Sequence, residues 1–338
     1  MREKKEPVLV FCDKEEEYAQ LMTEFLRAHK ELPLSVHTYT DTEALMCKER
    51  ENTIDLMVVS ERTYEERMAS LHPGRMIILM EIGLGKFEDF VRVEKYQQAQ
   101  NVLQSILEVY LESADDVFVH MTDLGETTFI GVYSPVRRCY QTTFALTLSQ
   151  MLSEKRRTLY LNFEHFSGLA ELAAREGARD LADLLYFLMA EKEKFAVRLK
   201  TIVQHQGSLD YVPPMKSGQN LLSVSGEEWK QLLHKLEESG LYDFVVMDLS
   251  ESMQGLFEIL RCCRLVYTLT KEDHIAQRKI EEYERILKAY AFEDILQKTR
   301  KRQVPKIRKI PEALDEYTKS EIADFVKRQI KELERENR

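Results

Sequence analysis

The sequence predicts an α/β protein built of two doubly wound domains, each a mainly parallel sheet covered by helices. Short continuous apolar runs, such as IDLMVVS at 54–60 and FVVM at 244–247, are typical of parallel strands buried on both faces. Segments with apolar residues at helical spacing lie between these runs, so strands and helices alternate along the chain. The length of 338 residues suits two domains.

Composition limits the classes of function. Apolar residues make up 44% of the chain, and 58 acidic against 48 basic residues give a net charge of −10, which disfavours broad binding to nucleic acid. No apolar run reaches the roughly 18 uncharged residues of a membrane span, and the basic N-terminus leads into a strand-like run rather than a signal peptide. Five cysteines without a CxxC pair favour a reducing compartment, so we expect a cytoplasmic protein.

The first domain is expected over residues 7–112. Its predicted order is strand, helix, strand, helix, strand, strand, helix, which suits a small doubly wound sheet. The predicted segments are PVLVFC (7–12), EEEYAQLMTEFLRAH (15–29), LSVHTYT (34–40), DTEALMCKERE (41–51), IDLMVVS (54–60), RMIILME (75–81) and VLQSILEVYLE (102–112). Residues 113–127 are expected to form a linker to a second domain over residues 128–338.

The first domain resembles the receiver domain of two-component response regulators. In that family an acidic pair follows the first strand, a phosphorylated Asp ends the third strand and a Lys follows the fifth. The matching residues here are Asp13, with Cys12 in place of the second acid, Ser60 and Lys95. Ser60 can neither accept a phosphoryl group as a carboxylate does nor help to hold Mg²⁺. The resemblance implies a pseudo-receiver (flavodoxin-like) domain; the alternative for Asp13 and Lys95 is an ordinary surface ion pair.

The segment 128–164 predicts a strand, a loop, a helix and a second strand, with threonines at the start of the helix. This layout is typical of a phosphate-binding loop. Such a loop uses glycines to curl its N–H groups around phosphate, a Lys to reach the phosphate oxygens and a hydroxyl group for Mg²⁺. The three regular segments are FIGVYS (129–134), QTTFALTLSQMLSEK (141–155) and TLYLNFE (158–164).

The whole segment resembles the MinD/ParA family of P-loop ATPases, especially its CpaE-like members, which carry a receiver-like N-terminal domain. The family loop reads Lys-Gly-Gly-x-Gly-Lys-Thr-Thr, and the matching residues are Val136, Arg137, Arg138, Cys139, Tyr140, Gln141, Thr142 and Thr143. Both lysines and all three glycines are replaced in this degenerate Walker A motif, and Tyr140 is expected to disfavour the tight turn. The resemblance implies that nucleotide binds at Arg137, Arg138, Cys139, Gln141, Thr142 and Thr143.

Two further matches concern metal and catalysis. Asn162 and Glu164 occupy the places of an Asp-x-Asp that positions Mg²⁺ and water in the family, and LYDFVVMDLSES (241–252) resembles its Walker B strand with Asp248. The resemblance implies Glu164 and Asp248 as catalytic residues if the site is active, with Mg²⁺ held at Thr142 and Asp248. The structural alternatives are a loop carboxylate at Glu164, an ordinary strand-end Asp248, and helix capping by the threonines.

ATP and Mg²⁺ are therefore the implied cofactors. The eight histidines have no ligand spacing, so neither a zinc nor a haem site is expected.

The C-terminal part contains one strongly basic run, KTRKRQVPKIRKI at 298–310. It is either a surface for an anionic partner, such as a membrane or a nucleic acid, or a solvated connector, which is the favoured interpretation. Three of its residues suggest an embedded last strand: Val304, Ile307 and Ile310. In the tail, one helical face carries Ile322, Phe325, Val326, Ile330 and Leu333. Because the opposite face mixes acids and bases, docking on the protein's own body or on a partner is favoured over membrane anchoring.

The resemblance implies a localisation or assembly scaffold for a pilus or secretion-type machine, with tight-adherence (Flp-type) pilus assembly as the most specific candidate. Loss of both lysines implies weak or absent ATP hydrolysis, that is, a pseudo-ATPase. The alternative is an active but divergent ATPase that uses Arg137 or Arg138 in place of lysine.

The expected partners are proteins of such a machine and a second copy of the chain. Membrane contact is expected to be peripheral, at the inner face, if it occurs at all, and nucleic acid is not an expected partner. Two other hypotheses stay open: a response regulator with an output domain, and ParA-like DNA binding through Lys298–Arg308.

Overall fold

The computed structural model describes residues 7–29, 32, 34–50, 52–81, 87, 89–113, 126–169 and 179–336. These residues divide into two compact units. Unit 1 contains the described residues up to Ser113 together with Ala196–Thr201, and unit 2 contains the other described residues. Most of the predicted linker, residues 114–125, lies outside the described residues.

Unit 1 is a five-stranded parallel sheet with the strand order β2-β1-β3-β4-β5. Its elements are β1 (Val8–Cys12), α1 (Glu16–Ala28), β2 (Ser35–Tyr39), α2 (Thr42–Lys48), β3 (Leu56–Ser60), a 3-10 helix (Glu66–Leu71), β4 (Arg75–Met80), β5 (Val91–Glu94) and α3 (Ala99–Ser113). Successive strand residues point to opposite faces. Leu9 and Phe11 therefore pack with α1 and α3, whereas Val10 and Cys12 pack with α2 and the 3-10 helix.

The predicted order of elements lacked strand β5, since it had only four strands in this domain. It lies at the edge of the sheet, and Val93 is the one buried residue among its four. A strand with a single buried side chain has no apolar run, which is why the hydrophobic pattern did not reveal it.

Unit 2 is a seven-stranded sheet with the order β12-β11-β6-β10-β7-β9-β8, in which only the β8–β9 pair is antiparallel. Its first elements are β6 (Thr128–Tyr133), α4 (Gln141–Ser153), β7 (Thr158–Asn162), α5 (Leu181–Ala190), a 3-10 helix (Lys192–Lys194), β8 (Gln204–Gln206), β9 (Leu209–Tyr211), α7 (Gly218–Ser223) and α8 (Gly226–Ser239). Helix α6 (Phe195–Ile202) lies between the 3-10 helix and β8 in the chain, and its residues Ala196–Thr201 belong to unit 1. The remaining elements are β10 (Phe244–Asp248), α9 (Leu256–Cys262), β11 (Leu265–Thr270), α10 (His274–Ala289), α11 (Asp294–Gln297), β12 (Thr299–Gln303), a 3-10 helix (Leu314–Lys319) and α12 (Ala323–Glu336).

Helices cover both faces of the unit 2 sheet. On one face Val132 shares a buried cluster with Phe144 of α4 and Val326 of α12. On the other face α9 approaches the sheet closely, because a Cβ on Gly131 would lie 3.4 Å from Leu260 Cδ2. Both units therefore confirm the predicted α/β fold of two doubly wound domains.

The last strand differs from the prediction, which placed it around Val304, Ile307 and Ile310. Residues Thr299–Gln303, of which the middle three are basic, form β12 at the sheet edge, parallel to β11. Val304 and Ile307 are buried after the strand has ended, and Ile310 is 47% exposed.

Helix α12 docks on the body of its own unit, one of the two outcomes that its charge pattern favoured. Val326 and Leu333 are buried in the cluster that contains α4, and the ring centroids of Phe325 and Phe144 lie 6.1 Å apart. Among the described residues, no helix combines the length and the apolar content that crossing a membrane requires.

Candidate functional site

The loop between β6 and α4 keeps the left-handed backbone that glycines usually provide. The φ angles are 62° at Arg137, 52° at Arg138 and 64° at Tyr140, the three positions that match glycines in the MinD/ParA loop. A residue with a Cβ adopts this conformation at a cost of about 1–2 kcal/mol. Tyr140 was expected to disfavour the turn, yet the turn forms, and its ring packs against the buried cluster around α4.

Helix α4 begins directly after this loop. Tyr140 is its N-cap residue and makes no capping hydrogen bond with its side chain, and the helix starts at Gln141. Thr142 and Thr143 therefore lie inside the first turn, so their interpretation as helix caps is wrong. The first N–H groups of a helix carry a partial positive charge and form an anion-binding site, which here opens onto the loop.

The loop lines a cleft of about 800 Å³. This volume falls within the range of about 300–1,000 Å³ that small-molecule sites occupy. Three cationic side chains, those of Arg137, Arg138 and Lys271, share the cleft with the carboxylates of Glu164 and Glu251. Arg137 forms an ion pair with Glu251. Cationic side chains and helix N–H groups together give the cleft the means to hold an anion.

The predicted nucleotide-binding residues are distributed unevenly around this cleft. Most of them line it, namely Arg137, Arg138, Gln141, Thr142 and Thr143. Cys139 is not among the lining residues and is only 2% exposed. Burial raises the pKa of the Cys139 thiol, while a hydrogen bond with Ser134 opposes that rise.

Gln141 occupies the position of the phosphate-binding lysine, and its side chain points into the protein. Its Nε2 donates to Asp248 Oδ1 at 2.6 Å and to the carbonyl oxygen of Leu249 at 2.8 Å. Glu164 Oε1 lies 3.4 Å from the same nitrogen. The amide therefore bridges the two carboxylates that the sequence singled out.

Asp248 is the last residue of β10 and is fully buried. Its Oδ2 accepts hydrogen bonds from Asn162 Nδ2 at 3.0 Å and from Tyr160 OH at 3.2 Å. Burial raises the pKa of the Asp248 carboxyl, and hydrogen bonds from Gln141, Thr142 and Tyr160 oppose that rise. The side chains that donate to the Asp248 carboxylate, those of Gln141, Tyr160 and Asn162, are all neutral.

Glu164 lies two residues beyond the end of β7, in the wall of the cleft. Burial and the negative charge of Asp248 raise the pKa of Glu164 to about 7, against the opposing effect of Arg137. Its backbone N–H donates to Asn162 Oδ1 at 3.0 Å. Glu164 therefore changes its charge near neutral pH.

The residues present fit a phosphate group better than they fit Mg²⁺. Of the two predicted Mg²⁺ ligands, Thr142 lines the cleft, whereas Asp248 is fully buried. The Asp248 oxygens already accept the hydrogens of Gln141, Asn162 and Tyr160. Within the described part of the chain, no three His, Cys, Asp or Glu side chains are grouped so that they could hold a metal ion. The cleft thus offers groups that suit an anion, whereas the Asp248 carboxylate is already occupied by donors of the protein.

The motif comparison missed other residues of the cleft. Lys271 directly follows β11, and Glu251 lies three residues after β10. Ligands of open parallel sheets bind outside the carboxyl ends of the strands, so these strand ends were a signal that could have found both residues. Phe166 and Ile310 also line the cleft, but nothing in their local sequence indicates it.

The receiver-like residues of unit 1 form a separate, internal cluster. Lys95 Nζ lies 2.8 Å from Asp13 Oδ2, 2.9 Å from Glu15 Oε2 and 3.0 Å from Glu81 Oε1. Burial acts to lower the pKa of Lys95, but the bonds to Asp13, Glu15 and Glu81 outweigh it and hold the pKa above its usual value. Because Lys95 and Asp13 are each only 1% exposed, the interpretation as a surface ion pair is wrong.

Ser60, the third residue of the receiver-like set, is buried at the end of β3. Its Oγ donates to Thr63 Oγ1 at 2.7 Å, and Thr63 Oγ1 also accepts the N–H of Lys14 at 2.9 Å. The hydroxyl at the position of the phosphorylated Asp thus serves as part of a loop hydrogen-bond network.

No family model matches this sequence, and no curated protein matches it. Solved structures of similar fold include ParA- and MinD-type ATPases at low identity. A ParA-family ATPase from Chlorobium tepidum is 17% identical, aligns 58% of this chain with 90% of its own, and gives a TM-score of 0.44. A putative plasmid partition protein from Borrelia burgdorferi, solved with bound AMPPNP, is 12% identical over 61% of this chain and 99% of its own, with a TM-score of 0.40.

The MinC:MinD cell division complex of Aquifex aeolicus is also similar in fold. It is 13% identical, with 52% of this chain and 67% of that chain aligned and a TM-score of 0.38. Similarity at this level concerns the fold alone and says nothing about what the cleft of this chain binds.

Proposed function

We propose that this chain is a MinD/ParA-type localisation or assembly scaffold whose cleft binds nucleotide and hydrolyses it slowly or not at all. Support comes from the sequence resemblance over residues 128–164 and 241–252 and from the anion-binding loop at the carboxyl end of a parallel sheet. The cleft has the size and the positive side chains that a nucleotide requires.

The observation that carries the proposal is the position of the Gln141 side chain. Its amide is neutral and bonds to Asp248 and Leu249, whereas the matching lysine of the family would bring a positive charge to the phosphate oxygens. Phosphoryl transfer depends on such positive groups, and loss of one preorganised donor costs roughly 100–1,000-fold in rate. Asp248, engaged by these donors, is equally unsuited to activate water.

The test is a multiple-turnover ATP hydrolysis assay at saturating Mg²⁺. We expect the rate of the wild-type protein to equal that of Asp248→Ala, at the background of the assay. A thermal shift with AMPPNP reports binding independently of hydrolysis, because a ligand that binds the folded state raises the melting temperature. Hydrolysis that the Asp248→Ala substitution abolishes would contradict the proposal.

The second candidate is an active but divergent ATPase in which Arg137 and Arg138 replace the lysines. Both residues line the cleft, and arginine binds phosphate through a planar pair of donors. In that case Arg137→Ala and Arg138→Ala would lower a measurable kcat. For a scaffold, the same variants weaken AMPPNP binding and leave a hydrolysis rate already at background.

The finer assignment that we propose is a CpaE-like protein of tight-adherence pilus assembly, acting with protein partners and as a homodimer. Its support is the resemblance of both halves of the sequence, a receiver-like domain before a MinD/ParA-like domain. A fluorescent fusion is then expected to form foci where pili are assembled. A uniformly dispersed fusion in cells that assemble pili would contradict this assignment.

We also propose that unit 1 is a receiver-like domain that accepts no phosphoryl group. Its support is the strand order β2-β1-β3-β4-β5, the doubly wound order of flavodoxin-like domains, and the bonding of Ser60 to Thr63. Incubation with acetyl phosphate followed by intact mass measurement should show no added phosphate. Labelling that disappears in Asp13→Asn would instead make the protein a response regulator.

A further inference from the structure

The Gln141 amide occupies the space between the two carboxylates of the cleft. Its Nε2 lies 2.6 Å from Asp248 Oδ1 and 3.4 Å from Glu164 Oε1, and it also donates to the Leu249 carbonyl at 2.8 Å. An amide nitrogen carries two hydrogens, and both point toward acceptors of the protein. The carboxylates thus face an N–H donor where a metal site would present them to a cation.

The second oxygen of Asp248 is engaged as well. Asn162 Nδ2 donates to Oδ2 at 3.0 Å, and Tyr160 OH donates to it at 3.2 Å. Mg²⁺ requires six oxygen ligands in near-ideal octahedral geometry at 2.0–2.1 Å and keeps several waters. Lone pairs that accept N–H and O–H hydrogens cannot serve a cation or its waters at the same time.

The remaining part of the cleft still suits phosphate. The left-handed residues of the loop line the cleft, and so does the first turn of the 13-residue helix α4. The side chains of Arg137, Arg138 and Lys271 supply three positive charges in the same cavity of about 800 Å³. These protein cations can neutralise phosphate oxygens, a task that Mg²⁺ often performs in phosphoryl-transfer sites.

We infer that this cleft binds the phosphate groups of its nucleotide without a divalent cation, and that Gln141 is the residue that excludes the metal. The inference rests on the proposed function, because it concerns the nucleotide assigned to that site. It adds that the protein's own cations neutralise the phosphate groups. The neutral Gln141 amide stands at the position of the family's lysine and contacts the carboxylate that a metal would otherwise use.

The test is isothermal titration of the full chain with AMPPNP, once in MgCl₂ and once in EDTA. We expect dissociation constants that agree within about twofold, a difference below 0.5 kcal/mol. Titration with Mn²⁺ in the presence of AMPPNP, followed by electron paramagnetic resonance, should show only the manganese bound by free nucleotide. Affinity at least about tenfold weaker in EDTA would overturn the inference.

The variant that tests the role of Gln141 is Gln141→Ala, which removes the amide from Asp248. Its AMPPNP affinity should become about tenfold stronger in MgCl₂ than in EDTA. Gln150→Ala is the matched control, since Gln150 lies on the same helix and donates to the Leu314 carbonyl instead. If Gln141→Ala does not fold, Gln141→Asn tests the same point with a shorter amide that withdraws from Asp248.

The outcomes separate the inference from the proposed function. Binding of AMPPNP that requires Mg²⁺ in the wild-type protein overturns the inference and leaves a nucleotide-binding scaffold. A Gln141→Ala variant as indifferent to Mg²⁺ as the wild-type protein removes Gln141 from its assigned role. No AMPPNP binding in either buffer contradicts the proposed function, and the inference fails with it.

Discussion

Glu164 is the residue whose charge is most sensitive to conditions near neutral pH. Burial beside Asp248 raises its pKa from an ordinary value of 4.5 to about 7. Between these two values the folded protein holds a proton that the unfolded chain has lost. The free energy of unfolding therefore falls as the pH rises from 4.5 to 7, and it stays lower above pH 7.

A substitution that removes this charge should raise the free energy of unfolding increasingly between pH 4.5 and 7, and by its full amount above pH 7. We expect Glu164→Gln to raise the free energy of unfolding by about 1–3 kcal/mol at pH 8, because the glutamine cannot ionise in the wall of the cleft. Near pH 4 the effect should be small. Urea denaturation at the two pH values measures it, with Glu312→Gln as the control at an exposed carboxylate. Equal effects of Glu164→Gln at both pH values would contradict the raised pKa.

Arg138 combines a left-handed backbone conformation with a proposed role in anion binding. Its φ of 52° favours glycine, and its exposed side chain lines the cleft. We expect Arg138→Gly to stabilise the protein by about 0.5–1 kcal/mol, because relief of the strain exceeds the entropy that glycine adds to the unfolded chain.

Arg138→Ala is the matched control for that substitution, since alanine removes the charge and keeps the Cβ. Both variants should weaken AMPPNP binding to a similar extent, and only the glycine variant should gain stability. Urea denaturation and calorimetric titration measure the two effects. A gain of stability in the alanine variant would show that charge, and not backbone strain, is the cause.

For Gln141, the sequence predicted the position of the residue in the loop but not the partner of its side chain. The alignment of the loop placed it at the position of the phosphate-binding lysine, and that position lines the cleft. Its partner Asp248 lies 107 residues away in the chain, so only the fold reveals that the amide bonds to that carboxylate. Loss of a charge is visible in a sequence, whereas the new partner of the replacing group is not.

At the scale of elements, Lys95 connects the ends of several strands in unit 1. Asp13 follows β1, Glu81 follows β4, and Lys95 follows β5. All three side chains are almost fully buried, and Lys95 is the cation that lies between the two acids.

We expect Lys95→Met to destabilise unit 1 by about 3–5 kcal/mol, because it leaves buried carboxylates without a cation. Lys14→Met is the control, since Lys14 is 53% exposed and its ion pair with Glu65 spans 3.7 Å. That control should cost less than about 1 kcal/mol. Urea denaturation of the full chain measures both variants, and equal effects would contradict the structural role of Lys95.

Elements with continuous apolar runs could be predicted from the sequence, whereas the bounds of the edge strands β5 and β12 could not. The runs of β3 and β10 are buried on both faces, so their composition alone identified them. In β12 the long side chains reach neighbouring groups instead: Lys301 Nζ lies 2.7 Å from Glu284 Oε1, and Arg302 Nη2 lies 2.6 Å from Glu332 Oε2. Those partners come from distant helices, which a strand pattern does not reveal.

At the scale of the whole molecule, ion pairs within the basic run affect how strongly the protein can bind nucleic acid. The chain carries a net charge of −10, and its basic run is partly neutralised by its own fold. In that run Arg300 lies over the Tyr267 ring, and Lys301 and Arg302 form ion pairs.

We therefore expect weak binding to duplex DNA with a nearly flat dependence on salt, because few cations are free to displace counterions. Fluorescence anisotropy of a labelled duplex between about 50 and 200 mM salt measures it. The variant Lys306→Ala/Arg308→Ala should behave like the wild-type protein. Affinity that falls about 1,000-fold over this range would instead indicate ParA-like DNA binding.

The glycine-free loop between β6 and α4 has a consequence for recognising related chains. Its curvature is imposed from both ends, by a strand buried in a sheet and by a helix packed on that sheet, so the residue types between them are free to change. Searches that identify such loops by their glycines and lysines depend on residue types, and residues 136–141 of this chain contain neither. The succession of left-handed dihedral angles at residues 137, 138 and 140 is a signature that survives the alteration. Scanning structures for that angular signature should find other loops of this shape that no letter pattern retrieves.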